Sequence, residues 1–337
     1  MYLTEHCATM KKISVAVVTG GSGAEIEVSL KSAEVVIQHL DKAIYEVYRV
    51  DISSNPWTAS DENEEHFEID RNDFTLKNTK QGFDVAFIAI HGTPAEDGKI
   101  QGYFDLLHVP YSACSVLASA ITFDKDITKH LLKGLQVNMA KSMLLNSLNR
   151  DLKTVSLQMS FPLFVKPNKN GSSYGISKVK KEDQLEEAVK KAFLFDDEVL
   201  IEEFIDGREL AAGIIEDQGE LICLPITEIM SENEFFDYEA KYLGKSKEIT
   251  PASITSDQKK RCNQLTKIIY RTLKLSGAVR IDYFLKEDDL YLLEVNTIPG
   301  LSEASILPQQ AIAHGYTLSQ FFHIWIQSAM SKKNNLS

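Results

Sequence analysis

Two acidic residues near the C-terminal end are spaced so that they can share a metal ion. The segment from Arg280 to Asn296 reads RIDYFLKEDDLYLLEVN, an alternating apolar and polar pattern that an acidic stretch interrupts. If the chain turns at 287–289, Asp282 faces Glu294 and Arg280 faces Asn296 across two antiparallel strands. All four side chains then project from one face of the hairpin.

The opposite face of this hairpin is predicted to belong to the core. Its members are all apolar or aromatic: Ile281, Tyr283, Leu285, Tyr291, Leu293 and Val295. Facing carboxylates repel, and a divalent cation relieves the repulsion because Mg²⁺ binds carboxylate and amide oxygens. The pattern therefore favours a magnesium site, beside which Arg280 could hold a phosphoryl group or a developing oxyanion. A solvated hairpin with cross-strand ion pairs is the alternative.

Two glycine-bearing loops follow predicted strands. The segment from Lys166 to Gly175, KPNKNGSSYG, can offer backbone N–H groups and hydroxyls to phosphate oxygens. It lacks the GxxxxGK[ST] pattern, so an ordinary glycine turn is the alternative. The segment from Gly20 to Gly23 lacks a convincing GxGxxG dinucleotide pattern. Glu25, just beyond it, either favours the macrodipole of a following helix or receives a ligand ammonium group.

Two further segments carry polar residues that could serve a site. HGTPAEDG, from His91 to Gly98, follows a predicted strand, at the edge where open α/β sheets bind ligands. A hydrogen-bonded loop histidine is the alternative for His91. DYEAKY, from Asp237 to Tyr242, reads by itself as a surface loop.

The elements that position these residues begin in an α/β order. A helix is predicted at 24–40, with Ile26, Leu30, Ala33 and Ile37 on its apolar face, and 61–80 is predicted to be a polar surface excursion. The helix lies between the first two of three predicted strands, which indicates a parallel sheet with right-handed crossovers. These strands are 13–19, 45–52 and 83–90.

The pattern changes after residue 114 to an α+β order. Helices are predicted at 115–134, 181–194 and 257–275. Strands are predicted at 161–167 and 199–205, followed by a strand pair within 210–229 and the hairpin at 277–297.

Composition bounds the function classes. The 337 residues carry a net charge of −12 with 44% hydrophobic and 25% charged residues, which is typical of a globular chain of about two or three domains. These values exclude wholesale disorder, collagen and a coiled coil, and the acidic balance argues against a nucleic-acid surface. The stretch 106–123 carries no formal charge, but it is a poor membrane span because it holds His108, Pro110 and several serines. The four scattered cysteines form no CxxC motif and are expected to be reduced.

Taken together, the segments resemble the D-alanine–D-alanine ligases of the ATP-grasp superfamily, from Lys12 to about Met330. The motifs that carry the resemblance occur in the order of that family: GGSGAEIEVSL, HGTPAEDG, KPNKNGSSYGISKV, EEFIDGREL, FFDYEAKYL, RIDYFL and LLEVNTIPGLS. The resemblance implies a three-part ATP-grasp architecture of α/β and α+β character, with an N-terminal parallel-sheet domain. The expected division is an N-terminal extension at 1–10, a substrate domain at 11–113, a central subdomain at 114–205 and a C-terminal metal-bearing subdomain at 206–337.

The resemblance also implies a reaction. ATP would phosphorylate the carboxylate of one D-alanine, and the amine of a second would attack the acyl phosphate, releasing ADP and phosphate for peptidoglycan precursor synthesis. ATP and two Mg²⁺ or Mn²⁺ ions would be required, in a cytoplasmic homodimer with no nucleic-acid or membrane partner. Closure of a loop near 235–242 would exclude water from the acyl phosphate.

Roles follow by motif position. Glu25 would hold the ammonium group of the first D-alanine, in a network with Ser172 and Tyr242. His91 and Glu96 would line the substrate region. The ATP phosphates would be bound by Lys125, Lys166 and Lys241, and adenine and ribose would contact Glu202, Glu203, Ile205 and Glu209.

The metal ions would be bound by Asp282, Glu294 and Asn296. The tetrahedral intermediate would be stabilised by Arg280 and the backbone of Gly300. The carboxylate of the second D-alanine would be bound by Ser305 and the N–H of Ile306.

Three competing functions remain open to test. A D-alanine–D-lactate ligase shares the fold and differs around Tyr242, where the unbroken YEAKY favours a dipeptide product. A nucleotide-binding ATP-grasp protein without ligase activity is disfavoured because the residues expected to act in ligation are intact: Lys166, Arg280, Asp282, Glu294 and Asn296. A nicotinamide-dependent oxidoreductase is disfavoured because GxGxxG is missing.

Overall fold

The computed structural model describes residues 11–21, 25–135, 137–146, 151–171, 174–231 and 246–331. The predicted site residues Ser172, Lys241 and Tyr242 lie outside these ranges, as does the predicted closing loop at 235–242. In the described part of the chain, no helix is both long and apolar enough to cross a membrane.

The N-terminal sheet contains the predicted parallel strands. β1 (Ile13–Thr19) pairs in parallel with β2 (Tyr45–Asp51) on one side and with β6 (Val85–Ile88) on the other, and the helix α1 (Ile26–His39) connects β1 to β2. The prediction of a parallel sheet is therefore confirmed. The sheet is extended by the antiparallel strands β3 (Thr58–Ser60), β4 (His66–Asp70) and β5 (Thr75–Leu76). The strand order is β5-β4-β3-β2-β1-β6.

The prediction of a surface excursion at 61–80 was wrong. This stretch supplies β4 and β5, and Ile69, Phe74 and Leu76 are each no more than 2% exposed. The few apolar residues among many charged ones all turn to the core, because strand side chains alternate between the two faces of a sheet.

The buried face of α1 also differs from the prediction. Leu30 is 38% exposed, whereas Ser29, Ser32, Ala33 and Val36 are buried. Hydropathy places serine outside, but these hydroxyls are satisfied by hydrogen bonds, and their small size lets the helix pack closely.

The predicted helix at 115–134 forms as two helices. After α2 (Lys99–Leu106), the chain forms α3 (Val116–Phe123) and α4 (Lys125–Leu132). The break falls at Asp124, whose carboxylate accepts the backbone N–H of Ile127 and caps α4.

A second, antiparallel sheet follows the short strand β7 (Asn138–Met139). Its strands are β8 (Ser142–Leu145), β9 (Leu163–Pro167), β10 (Ser177–Val179) and β11 (Val199–Glu203). Their order is β10-β9-β11-β8, and α5 (Leu152–Gln158) and α6 (Leu185–Ala192) contribute to the core beneath the sheet.

The third sheet carries the predicted metal hairpin. Its strands, besides β7, are β12 (Arg208–Asp217), β13 (Glu220–Cys223), β14 (Thr227–Ser231), β15 (Ser246–Ile249), β16 (Val279–Lys286) and β17 (Asp289–Asn296). Their order is β15-β14-β12-β16-β17-β7, with β13 paired to β12 and α7 (Ser256–Thr272) packed against the sheet. α8 (Ile306–His314) and α9 (Leu318–Ser331) follow. The ring centroids of Trp325 and Phe87 lie 5.2 Å apart where α9 packs on the N-terminal sheet.

The register of the hairpin is the predicted one at its functional end. Asp282 pairs with Glu294, and Arg280 pairs with Asn296. A β-bulge then shifts the pairing by one residue, so that Leu292 lies opposite Tyr283. The predicted core positions of Tyr291 and Leu293 were therefore wrong. The buried residues of β17 in this region are Leu290 and Leu292 instead.

Candidate active site

A cavity of about 810 Å³ opens between the second and third sheets and extends to the C-terminal edge of the N-terminal sheet. Every predicted site residue within the described part of the chain contributes to its wall. These residues are Glu25, His91, Glu96, Lys125, Lys166, Glu202, Glu203, Ile205, Glu209, Arg280, Asp282, Glu294, Asn296, Gly300, Ser305 and Ile306. The fold thus brings together residues that are as much as 281 positions apart in the sequence.

A buried carboxylate holds two lysines on one side of the cavity. Glu202 on β11 lies 2.5 Å from the Nζ of Lys166 on β9 and 2.5 Å from the Nζ of Lys129 on α4. Burial alone would raise the pKa of Glu202, but the two ammonium groups outweigh burial and lower it to about 2. Two cations around one carboxylate leave a net positive charge that suits a phosphate.

Register explains why Lys166 and Glu202 meet. Leu200 pairs with Lys166, so Glu202, two residues farther along β11, lies on the same face of the sheet as Lys166. Lys129 was missed from the sequence. Its spacing of four residues from Lys125 on one helix was the available signal, since such residues share a helix face.

The loop after β9 is tied to the start of α4. Asn168 Nδ2 donates to Asp124 Oδ1 at 2.9 Å, and Asn168 Oδ1 accepts the N–H of Asp126 at 3.0 Å. Lys125 Nζ donates to the carbonyl of Asn170 at 2.7 Å. Burial lowers the pKa of Lys125, against the opposing effect of the Glu294 charge. These bonds place Lys125 beside the phosphate-suited cluster.

Glu203 and its neighbours form another part of the wall. The Glu203 carboxylate accepts the Ser160 N–H at 3.3 Å and lies 3.9 Å from Lys141 Nζ. Ile205 follows in the connection between β11 and β12, and Glu209 lies on β12.

The opposed carboxylates of the hairpin form a polar corner of the cavity. Asp282 is 2% exposed and binds Arg280 on its own strand, at 2.9 Å to Nε and 2.8 Å to Nη2. Asn296 Nδ2 donates to Asp282 Oδ2 at 2.9 Å. Burial lowers the pKa of Arg280, but the charge of Asp282 outweighs it and raises the pKa. The Asp282 end of the hairpin is therefore buried rather than solvated.

The donor chemistry of this corner fits a hard divalent cation. Asp282 and Glu294 face each other and offer carboxylate oxygens, and Asn296 adds an amide oxygen. Over the described ranges, no group of three or more His, Cys, Asp or Glu side chains is arranged to hold a metal ion. A cation here would therefore need the amide, or oxygens from a ligand, to complete its coordination.

The start of α1 forms a negatively charged end of the cavity. A Cβ at Gly92 would overlap Glu25 Oε2, and one at Gly171 would lie 3.2 Å from Glu25 Oε1. Two loops therefore approach the Glu25 carboxylate closely because they carry glycine there. Burial, and then the charge of Glu25, raise the pKa of Glu96. A ligand ammonium group at this end of the cavity would relieve the repulsion between the two acidic side chains.

The N-terminus of α8 faces the same cavity. Ser305 is the N-cap, and its Oγ lies 2.7 Å from the Oγ of Ser302. A Cβ at Gly300 would lie 2.8 Å from Ser305 Oγ, so this loop passes close to the cap. The backbone N–H of Ile306 begins the helix, a position that favours a carboxylate.

The fold and this cavity define an ATP-grasp ligase. The chain matches the model described as D-ala D-ala ligase N-terminus over residues 14–114 and the one described as D-ala D-ala ligase C-terminus over 131–327. The chain therefore belongs to the D-alanine–D-alanine ligase family.

Individual relatives and structures agree with this membership. The chain is 45% identical to a D-alanine–D-alanine ligase of Flavobacterium johnsoniae, covering 92% of this chain and 97% of the relative. It is 43% identical to one of Bacteroides fragilis, covering 90% and 95%. Among solved structures, a D-alanine–D-alanine ligase from Coxiella burnetii aligns with a TM-score of 0.86 at 25% identity, covering 96% of each chain. A D-Ala:D-Ser ligase from Enterococcus faecalis aligns with a TM-score of 0.85 at 29% identity, covering 95% of this chain and 100% of that structure.

Proposed function

We propose that this chain joins two D-alanine molecules into D-alanyl-D-alanine while ATP is converted to ADP and phosphate, and so supplies peptidoglycan precursors. The observation that carries the proposal is a single cavity with a cationic cluster, a metal-suited corner, a carboxylate pair and a helix N-terminus. The relatives named above support D-alanine as the substrate. Because ATP is an intracellular substrate, the proposed reaction takes place in the cytoplasm.

ATP occupies the part of the cavity between the second and third sheets. Its phosphates contact Lys125 and Lys166, with Lys241 as a third cation. Adenine and ribose lie against a wall formed by Glu202, Glu203, Ile205 and Glu209. The buried positive cluster around Glu202 supports this placement of the phosphates.

Asp282, Glu294 and Asn296 would hold two Mg²⁺ or Mn²⁺ ions, which would neutralise charge on the transferred phosphoryl group. The opposed register of the two carboxylates supports this set of ligands. Arg280 lies in the same corner, where its guanidinium can bind a phosphoryl oxygen or an oxyanion.

The amino acids occupy the region between Glu25 and α8. Glu25 binds the ammonium group of the first D-alanine, in a network with Ser172 and Tyr242, and His91 and Glu96 form the adjoining wall. Ser305 and the N–H of Ile306 bind the carboxylate of the second D-alanine. The N-terminal position of both groups on α8 supports this role.

The bond changes need positioning and charge more than a side-chain nucleophile. A carboxylate oxygen of the first D-alanine attacks the γ-phosphorus, and the bond from that phosphorus to the β,γ-bridging oxygen breaks, which releases ADP. The amine of the second D-alanine attacks the acyl carbon, and the departing phosphate takes up the proton that the amine loses. The bond from that carbon to the phosphate oxygen then breaks. Arg280 and the backbone N–H of Gly300 stabilise the oxyanion that forms between these steps.

The proposed division of the chain is 11–113, 114–205 and 206–337. The strands of the three sheets support it, except that β7 from the second segment joins the third sheet. We also propose a homodimer, as the resemblance to the family implies. Light scattering on the purified protein tests the assembly, with a monomeric mass as the contradicting result.

Product analysis by mass spectrometry tests the proposed reaction. The purified protein is incubated with ATP, Mg²⁺ and D-alanine, alone and together with D-lactate or D-serine, while phosphate release is followed. We expect D-alanyl-D-alanine as the main product in every mixture. A depsipeptide or a D-alanyl-D-serine product would instead assign a different second substrate. ATP binding without any product would contradict ligase activity.

A further inference from the structure

A relay of hydrogen bonds joins Ser32 on α1, His91 in the segment after β6 and the loop 298–301 that follows β17. His91 is 6% exposed, and its Nδ1 lies 3.1 Å from the carbonyl oxygen of Ile298. Its Nε2 lies 2.8 Å from Ser32 Oγ, and that same Oγ accepts the backbone N–H of Leu301 at 3.3 Å. Two polar side chains from the N-terminal part of the chain thus bind both ends of the segment 298–301.

The direction of each bond is determined. A carbonyl oxygen only accepts, so His91 Nδ1 carries the proton and Nε2 is an acceptor. Ser32 therefore donates its hydroxyl hydrogen to Nε2 and keeps a lone pair for the Leu301 N–H. Burial lowers the pKa of His91 to about 4, against the opposing effect of the Ile298 carbonyl, so the ring is neutral near pH 7.

The segment held in this way contains Gly300, whose backbone lines the cavity. Ile298 and Leu301 are 3% and 0% exposed, so both anchored residues are buried and Gly300 between them is presented to the cavity. Both ring nitrogens of His91 are engaged by the relay. His91 therefore holds the loop and does not bind a substrate directly.

We infer that Ser32 and His91 are positioning residues, which hold the loop 298–301 so that the Gly300 backbone faces the reacting carbonyl. The role given to Gly300 rests on the proposed function. The claim that Ser32 and His91 hold the loop rests only on the hydrogen bonds. Loss of the Ser32 hydroxyl leaves two buried groups, the Leu301 N–H and His91 Nε2, without this partner.

Ser119 offers a matched control. It is also a fully buried helical serine whose Oγ accepts one hydrogen bond, from Gln101 Nε2 at 3.2 Å, and donates one, to the carbonyl of Cys114 at 3.4 Å. Ser119 is not part of the cavity wall. Ser119→Ala therefore reproduces the loss of a buried hydroxyl without touching the loop 298–301.

The test combines hydrogen exchange with steady-state kinetics on wild type, Ser32→Ala, Ser32→Cys and Ser119→Ala. In Ser32→Ala we expect amide exchange of a peptide covering 298–305 to rise about tenfold or more, and kcat to fall about tenfold or more. The KM for ATP should stay within about threefold, because the ATP-binding residues are not in the relay. Ser32→Cys, which keeps a weak donor, should be intermediate, and Ser119→Ala should change neither the exchange of this peptide nor kcat.

The inference is overturned if Ser32→Ala leaves the exchange of that peptide unchanged, or if its kcat matches that of Ser119→Ala. Should Ser32→Ala not fold, His91→Asn carries the same test, because it removes the imidazole that joins Ser32 to Ile298. A wild-type protein that forms no dipeptide refutes the proposed function, whereas the exchange measurement still decides whether the relay holds the loop.

Discussion

Lys166 Nζ and Glu202 Oε2 lie 2.5 Å apart, and their side chains are only 7% and 10% exposed. A phosphate that binds Lys166 must therefore compete with a buried carboxylate for the same ammonium group. Lys129 contacts the other oxygen of Glu202 and remains as its partner when Lys166 turns to the phosphate. The cluster is thus arranged so that no carboxylate is left buried and unpaired when the nucleotide binds.

Lys129→Met tests this exchange of partners. Glu202 then depends on Lys166 alone and holds it away from the phosphates, so we expect the KM for ATP to rise about tenfold, with a smaller change in kcat at saturating ATP. Lys133→Met is the control, because this lysine ends the same helix and is exposed. Equal KM values in the two variants would contradict the interpretation.

Glu294→Gln tests the metal corner. The substitution keeps the shape of the side chain and removes one of two facing carboxylate charges, so we expect kcat to fall about 100-fold or more. Thermal unfolding should be unchanged, and Mn²⁺ binding followed by calorimetry should weaken. Asp289→Asn, on the exposed end of the same strand, is the control. Near-normal kcat with an unchanged Mg²⁺ requirement would show that the metal lies elsewhere.

Gly92→Ala tests the close approach of a loop to Glu25. Gly92 has φ +69°, and an added Cβ would overlap the Glu25 carboxylate. We expect a loss of about 1–2 kcal/mol in stability from backbone strain, together with a rise in the KM for D-alanine as the carboxylate moves. Gly219→Ala separates the two effects, because Gly219 has φ +83° and no atom lies within 4 Å of its added Cβ. A similar KM for D-alanine in both variants would contradict a role for this contact.

His91 makes stability depend on pH. Its folded pKa, lowered by burial to about 4, lies below the unfolded value of 6.5, so the unfolded state binds the proton more tightly. The contribution of the neutral His91 ring to the free energy of unfolding is therefore present above pH 6.5 and is lost as the pH falls toward 4. From pH 7 to pH 5 the loss from this group is about 2 kcal/mol. Urea unfolding of wild type and His91→Asn at pH 7 and pH 5 measures this loss in the free energy of unfolding. An equal loss in the two proteins would exclude His91 as its source.

The sequence determined the features that depend on local periodicity. Asp282 could be placed opposite Glu294 because strand side chains alternate and an acidic turn limits the register. The parallel pairing of β1 followed from the order strand, helix, strand. The bulge after Asp282 could not be predicted from the sequence, because it adds one residue without changing the hydrophobic pattern. As a result, Leu290 and Leu292 lie in the core.

Only the tertiary structure decided which distant polar groups meet. Ser32 is not among the residues of the predicted apolar helix face, yet it is buried and bonded to groups 59 and 269 positions away in the chain. Lys129 likewise became a partner of Glu202 only through the packing of α4 beside β11. A polar residue carries no periodic signal for burial, because its burial is stabilised only when a distant partner satisfies it, and that partner is supplied by the assembled fold.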